Sequence, residues 1–304
     1  VRAVSLALVA ALPALAATAH LAPPGADGSA NPCQSVDPAW SPDGRWIYFT
    51  SNCLDGELDL YRVPAGGGEP ERLTETPGDE HAPAFSRDGS QVAFSYQPKG
   101  EPPDLWIAGV DLTGRRRITH DGYTDWDPTW SADGQRLAFE SGRDGNVDIW
   151  TVDVETGEEV RVTRSPDPEV GPDWSPDGSV IVYQSKREGH YGIYGVSPSG
   201  GDDRALIVLD VDAAAPAWFP DSRRLAFIRV EEGRHEIWTA AADGSDPKRL
   251  MSDPELAEFL PAVSPDGRSV AFIARPAGGD GMWDIEVVGT DGSNRRRLTR
   301  TGGW

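Results

Sequence analysis

Carboxylates, two cysteines and five histidines are the side chains in this sequence that could carry chemistry, and the carboxylates dominate. Asp79, Asp125, Asp127, Glu169, Asp212 and Glu258 fall in short segments that recur along the chain, with His81 and Trp126 beside them. The segments 31–37, 75–82, 120–127, 164–171, 208–215 and 252–260 together hold fourteen acids and one base, Arg164. Clustered carboxylates focus a negative potential, and six to eight converging oxygens hold Ca²⁺. These eight residues are therefore the candidate binding site. Its occupant would be a protein or peptide partner of basic character. The alternative is a divalent cation, a glycan or another small ligand. Solubility alone would also make exposed loops acidic.

No catalytic motif accompanies these acids. G-x-S-x-G, H-E-x-x-H and a Gly-rich phosphate loop are all absent from the sequence. Gly66-Gly67-Gly68 reads as a flexible turn. His20, His81, His120, His190 and His235 are scattered, and a lone loop histidine is more often solvated than metal-bound. No catalytic residue is assigned and no cofactor is required, Ca²⁺ being the ion the acids could hold. Lyase or hydrolase activity belongs only to the small-ligand alternative.

What must position the acids is a repeat. The phrase Pro38-Ala39-Trp40-Ser41-Pro42-Asp43-Gly44 returns at Pro83, Pro128, Pro172, Pro216 and Pro261, at intervals of 45, 45, 44, 44 and 45 residues. Ser-Pro-Asp-Gly is hairpin chemistry, with Pro presetting the first corner and Gly taking the left-handed position. Ser222 replaces that Gly in the fifth copy, which costs about 1 kcal/mol if its φ is positive. Each copy continues with an apolar strand such as Trp46-Ile47-Tyr48-Phe49. A third strand such as Asp59-Leu60-Tyr61 and a fourth such as Arg72-Leu73-Thr74 follow. β-Branched and aromatic residues at period two, with no helical period, make this an all-β chain. Four short strands per 45 residues is the unit of a propeller blade. The expected fold is a six-bladed β-propeller with four antiparallel strands per blade, over residues 31–299. Asp43 and its equivalents recur in every copy, so they are read as structural, as are the repeated tryptophans. Trp126 is the exception, because no other copy has an aromatic there.

The Pro-x-Trp-Ser-Pro-Asp-Gly phrase, with Asp-Ile-Trp and Arg-x-Leu-Thr, resembles the repeat of the TolB-type propeller family, a relative of the WD-type repeat. The resemblance covers nearly the whole chain after its first segment and is specific for fold rather than function. It implies a periplasmic propeller of the Tol–Pal envelope type. The first repeat follows directly on an apolar leader, so the small α/β domain that precedes the propeller in TolB is expected to be missing. TolB-like rings draw the last innermost strand from the C-terminus. Here repeats one and six both read as complete and in the same order. In a propeller, the acidic segments would cross one face toward the central channel. Lys99, Arg143, Lys186, Arg187, Arg229, Arg234 and Arg275 would lie in the loops farther out. The expected picture is an acidic funnel inside a mixed rim.

The overall balance agrees with this frame. In 304 residues, 28 Lys plus Arg face 49 Asp plus Glu, a net charge of -21. That disfavours nucleic acid, which needs a basic surface, and an anionic membrane surface for the same reason. Arg2, the apolar run Ala3–Ala17 and Ala17-Thr18-Ala19 read as a signal peptide over 1–19. Residues 20–30 are then a flexible mature N-terminus and 300–304 a C-terminal tail. The run is too short to span a membrane, so a monomeric exported protein, periplasmic or extracellular, is expected. In that compartment Cys33 and Cys53 suit a disulfide. They flank the first hairpin, one residue off the register that its turn sets. A bridge there would pin the N-terminal blade where the ring closes.

Overall fold

The computed structural model describes residues 33–251, 253–277 and 283–300. The leader over 1–19, residues 20–30 and most of the 300–304 tail lie outside the described residues. Six four-stranded antiparallel sheets follow one another along the chain, each built from four consecutive strands. Sequence repeat and blade therefore coincide, and among the described residues no blade borrows a strand from the other end of the chain. Among the described residues no helix is long and apolar enough to cross a membrane.

A single sheet of this size cannot bury both faces, so neighbouring blades supply each other's core. The second strand of every blade is buried on both sides, as in Ile47, Phe49, Val92, Phe94, Leu137 and Phe139. The innermost strands are Ser35–Trp40, Gly78–Phe85, Asp125–Trp130, Glu169–Trp174, Asp212–Trp218 and Leu256–Val263. Their tryptophans stitch blades together. Trp130 donates from Nε1 to the Ala84 carbonyl at 3.0 Å, and Trp218 to the Asp173 carbonyl at 3.2 Å. Trp40 does the same to Ala262 at 3.0 Å, across the junction of blades one and six.

That junction uses the bonds of the other junctions. Ser35 N donates to the Trp283 carbonyl at 3.0 Å, just as Glu80 N donates to Leu58 at 2.8 Å and Glu169 N to Val147 at 2.8 Å. Arg296 Nη2 adds a bond to the Ala65 carbonyl at 2.7 Å. Ring closure is thus a sixth use of the blade-to-blade contact, not a shared sheet.

The hairpin turns behave as their residues dictate. Ser41 Oγ accepts from Trp46 N at 3.0 Å and donates to Asp43 Oδ1 at 2.6 Å, while Gly44 sits at φ 69°. The Ser41 hydroxyl first, and then the backbone amide and guanidinium of Arg45, hold the Asp43 carboxyl down at about 2. The same Ser–Asp bond recurs at Ser86–Asp88, Ser131–Asp133, Ser175–Asp177 and Ser264–Asp266. In blade five Ser222 does adopt φ 55°, and its Oγ accepts from Asp177 N at 3.0 Å. A second repeated device joins the third and fourth strands. Arg72 pairs with buried Asp59 at 2.5 Å, and Thr74 Oγ1 accepts from Leu60 N at 2.9 Å. It returns at Asp104–Arg117, Asp148–Arg161 and Asp284–Arg297. Blade four has Gly192 and Ala205 there, and instead packs Arg187 against Asp203 and Glu169.

Each innermost strand also carries one residue more than its partner. The pairing register shifts between Val36 and Ala39, and at the same place in the other five blades. The residues at these bulges, Asp37, Ala82, Asp127, Gly171, Ala215 and Leu260, all have φ between 46° and 61°. This is a β-bulge with a left-handed residue, followed every time by Pro. The extra residue resolves the cysteine register. Trp40 faces Ile47, but beyond the bulge Ser35 faces Ser51, which brings Cys33 opposite Cys53. The two are disulfide-bonded, with Cα atoms 4.6 Å apart. Replacing both cysteines by serine should lower unfolding free energy by on the order of 3 kcal/mol, as expected for a loop of this length. Guanidinium denaturation of the two proteins reads the difference, and an unchanged midpoint would refute it.

Candidate functional site

The six bulges encircle a central cavity of about 610 Å³, within the size range of ligand sites. Its wall runs from the bulge residues, through the ring of prolines Pro38, Pro83, Pro128, Pro172, Pro216 and Pro261, to the six hairpin turns. Proline has no N–H, so this stretch of each inner strand presents no donor to the axis. Bulging frees amides that the preceding blade then captures. Ala82 N donates to Asp37 Oδ2 at 3.2 Å, Gly171 N to Glu140 Oε2 at 2.8 Å and Ala215 N to Gln184 Oε1 at 2.6 Å.

The wall is two-sided. Asp37, Asp127 and Asp173 line one part of it, with Glu140 buried behind. Ala214, Ala215, Ile228, Val230, Phe259 and Leu260 line another. On that side Phe259 stacks between His235, at 4.5 Å, and Trp283, at 5.6 Å. Burial pushes the Asp37 carboxyl up to about 6, against the lowering bonds from Ala82 and Thr50. It does the same to Asp173, also to about 6, although Trp218 N donates to it at 2.7 Å. Glu140 is pushed up to about 7 by burial. Asp127 is raised well above the usual carboxylate range, first by burial and then by the charges of Glu140 and Asp37. Its Oδ2 has no hydrogen-bond partner among the described residues. The three aspartates keep part of their surface in the cavity, so water there moderates the rise without reversing it. Among the described residues no three His, Cys, Asp or Glu side chains converge as metal ligands would.

Of the eight residues expected to form one acidic mouth, the structure brings Asp127 to the cavity and uses the rest in contacts within and between blades. Asp79 Oδ1 accepts from Leu58 N at 2.9 Å, and Asp212 Oδ1 from Tyr191 N at 2.7 Å. Asp125 is buried against Arg143 at 3.1 Å, and Glu169 against Arg187 at 2.8 Å. Glu258 is buried and accepts from Ile237 N at 3.0 Å. His81 and Trp126 are buried edge to face, 4.8 Å apart, so the odd aromatic packs on the neighbouring blade. Asp173 in the cavity wall and Glu140 behind it escaped sequence reasoning, and Asp37 was counted but not singled out. A signal existed: Asp173 stands where other repeats have Ala or Thr. Glu140 stands where they have Thr50, Ser95, Gln184, Ile228 and Ile273.

A ring of six single-repeat blades around a bulge-lined channel defines the chain as a TolB-type propeller. The sequence matches the family described as TolB beta propeller domain over residues 71–165 and 142–304, and the chain belongs to it. An uncharacterized protein of Agrobacterium fabrum is 32% identical over 102 residues, covering 34% of this chain and 34% of that protein. The Tol-Pal system protein TolB of Anaeromyxobacter dehalogenans is 37% identical over 97 residues, covering 31% of this chain and 21% of that protein. The chain thus spans a third or less of the length of these relatives. The crystal structure of TolB from Acinetobacter baumannii superposes with a TM-score of 0.70 at 20% identity, over 90% of this chain and 65% of that one. At that identity the likeness concerns the fold.

The raised carboxyls have a consequence for stability. A carboxyl with a raised native pKa binds its proton more tightly folded than unfolded. Its contribution is therefore complete below about 4 and is lost as pH rises through 6 to 7. Asp37, Glu140, Asp173 and Glu258, the last pushed to about 7 by burial, all act in this direction. The melting temperature should fall between pH 5 and pH 8. Glu258→Gln should raise stability at pH 8 by on the order of 2 kcal/mol and be near neutral at pH 5. A thermal-shift series across that range decides it, and a Glu258→Gln protein with the parent's pH slope would overturn the assignment.

Proposed function

We propose that this propeller is an exported, non-enzymatic binding module that takes a basic segment of a protein or peptide partner into its central cavity. The observation that supports this reading is the two-sided wall: carboxylates of Asp37, Asp127 and Asp173 on one part, apolar side chains on another. A lysine or arginine side chain combines the same two chemistries, a cationic head on an apolar stem. Membership of the TolB propeller family and the name of the Tol-Pal relative agree with a protein partner. Export is supported by the charged start, the apolar run and the A-x-A site, and the disulfide fits an oxidising compartment. The net charge of -21 favours fast capture of a basic partner.

A second reading is favoured by Asp127 Oδ2, a buried carboxylate oxygen at the cavity wall with no hydrogen-bond partner among the described residues. Under it a divalent cation such as Ca²⁺, or a small ligand such as a glycan, occupies the same wall, and lyase or hydrolase activity would belong here. Two measurements separate the readings. Calorimetry with a lysine-rich peptide should show binding that weakens about tenfold in the Asp127→Asn/Asp173→Asn protein and is unchanged in Glu155→Gln, an exposed control. Equal affinity in all three would refute the first reading. Thermal shifts with Ca²⁺, chelator and glycans test the second, and the absence of any shift would remove it.

A further inference from the structure

The hairpin turns at the cavity wall follow one pattern with one departure. Pro42 lies against Gly89 of the next blade, Ala132 against Gly178 and Pro220 against Gly267. The equivalent position is Pro176 in blade four and Pro265 in blade six, but Arg87 in blade two. Arg87 reaches past the blade three position and donates from Nη1 to the Pro176 carbonyl of blade four. It is exposed, and it is the one Lys or Arg among the described residues lining the cavity. Asp127, Thr129 and Asp173 line the wall of the same cavity. Every other repeat closes its turn with a residue that has no charge to offer. The guanidinium is not needed by the turn itself, because Ser86, Asp88 and Gly89 make the usual bonds without it.

We propose that Arg87 is the specificity-determining gate of the cavity on its hairpin face. Anchored on Pro176, its guanidinium opposes the passage of cations into an otherwise acidic cavity and draws anionic groups to the rim. The proposal rests on the cavity being a ligand site. It adds that a basic segment enters by this face only when Arg87 leaves Pro176. The turn aspartates Asp43, Asp88, Asp133, Asp177, Asp221 and Asp266 stand on the same face, so the gate shows as a change caused by Arg87, not as an absolute preference.

The test uses reagents that need no identified partner. Both native cysteines are disulfide-bonded, so Ala84→Cys, which lines the cavity, supplies the single free thiol. Its reaction rates with cationic, neutral and anionic methanethiosulfonates are compared with and without Arg87→Gln. Ala217→Cys, on another part of the wall, serves as a second position if the first fails to fold. Removal of the guanidinium should raise the cationic-to-anionic rate ratio about fivefold and leave the neutral rate within a factor of two. An unchanged ratio with a reactive thiol overturns the gate and leaves the cavity reading standing. A thiol that does not react with the neutral reagent at either position overturns both. The lysine-rich peptide should also associate faster with the Arg87→Gln protein, and slower association would contradict the gate.

Discussion

One surplus residue in each innermost strand organises this molecule. At Asp37, Ala82, Asp127, Gly171, Ala215 and Leu260 the chain takes a left-handed step that the facing strand does not match. The step costs conformational energy at every residue except Gly171, because a Cβ crowds the following carbonyl in that region. The surrounding ladders hold it in place. In return, three of the freed amides are caught by the blade before, through Asp37, Glu140 and Gln184. A local irregularity thereby becomes a contact between blades.

Charge follows the same logic. The excess of acids gathers at the starts of the innermost strands, where the chain crosses from one blade to the next. There Asp79, Asp212 and Glu258 cap backbone amides, while Glu80, Asp125 and Glu169 meet arginines at 2.8–3.1 Å. A carboxylate is well suited to this junction, having several lone pairs for the amides that crossing leaves unpaired. Burial then raises some of these groups, Glu258 to about 7. Much of the acidity that looked like a binding surface is structural glue. What is left for a ligand is the smaller set facing the axis.

The repeat was legible because turn chemistry is local. Ser-Pro-Asp-Gly needs only its own atoms to form a hairpin, and six copies at near-constant spacing announce six hairpins. The cysteine pair was legible to within one residue, and the missing residue is the bulge at Asp37. A period-two reading has no means of registering such an insertion, because the alternation of faces resumes after it. His81 and Trp126 show the opposite case. An aromatic found in one repeat only suggested a ligand platform, yet its ring rests on a histidine of the adjacent blade. Asp173 and Glu140 stood in the sequence as acids at positions where other repeats carry small, neutral or apolar residues, a departure visible only when the copies are compared column by column.

By itself the sequence determined the number of blades, the strand order within each, the hairpin turns and the sign of the charge, all set by neighbours close along the chain. Tertiary structure alone decided which carboxylates face the axis and which are consumed between blades. It also decided that Arg87 lies over the cavity, bonded to a turn two blades away. The physical reason is distance: whether a carboxylate meets an amide, an arginine or open space depends on strands and loops of its own or the neighbouring blade, 18 to 45 residues off in the chain.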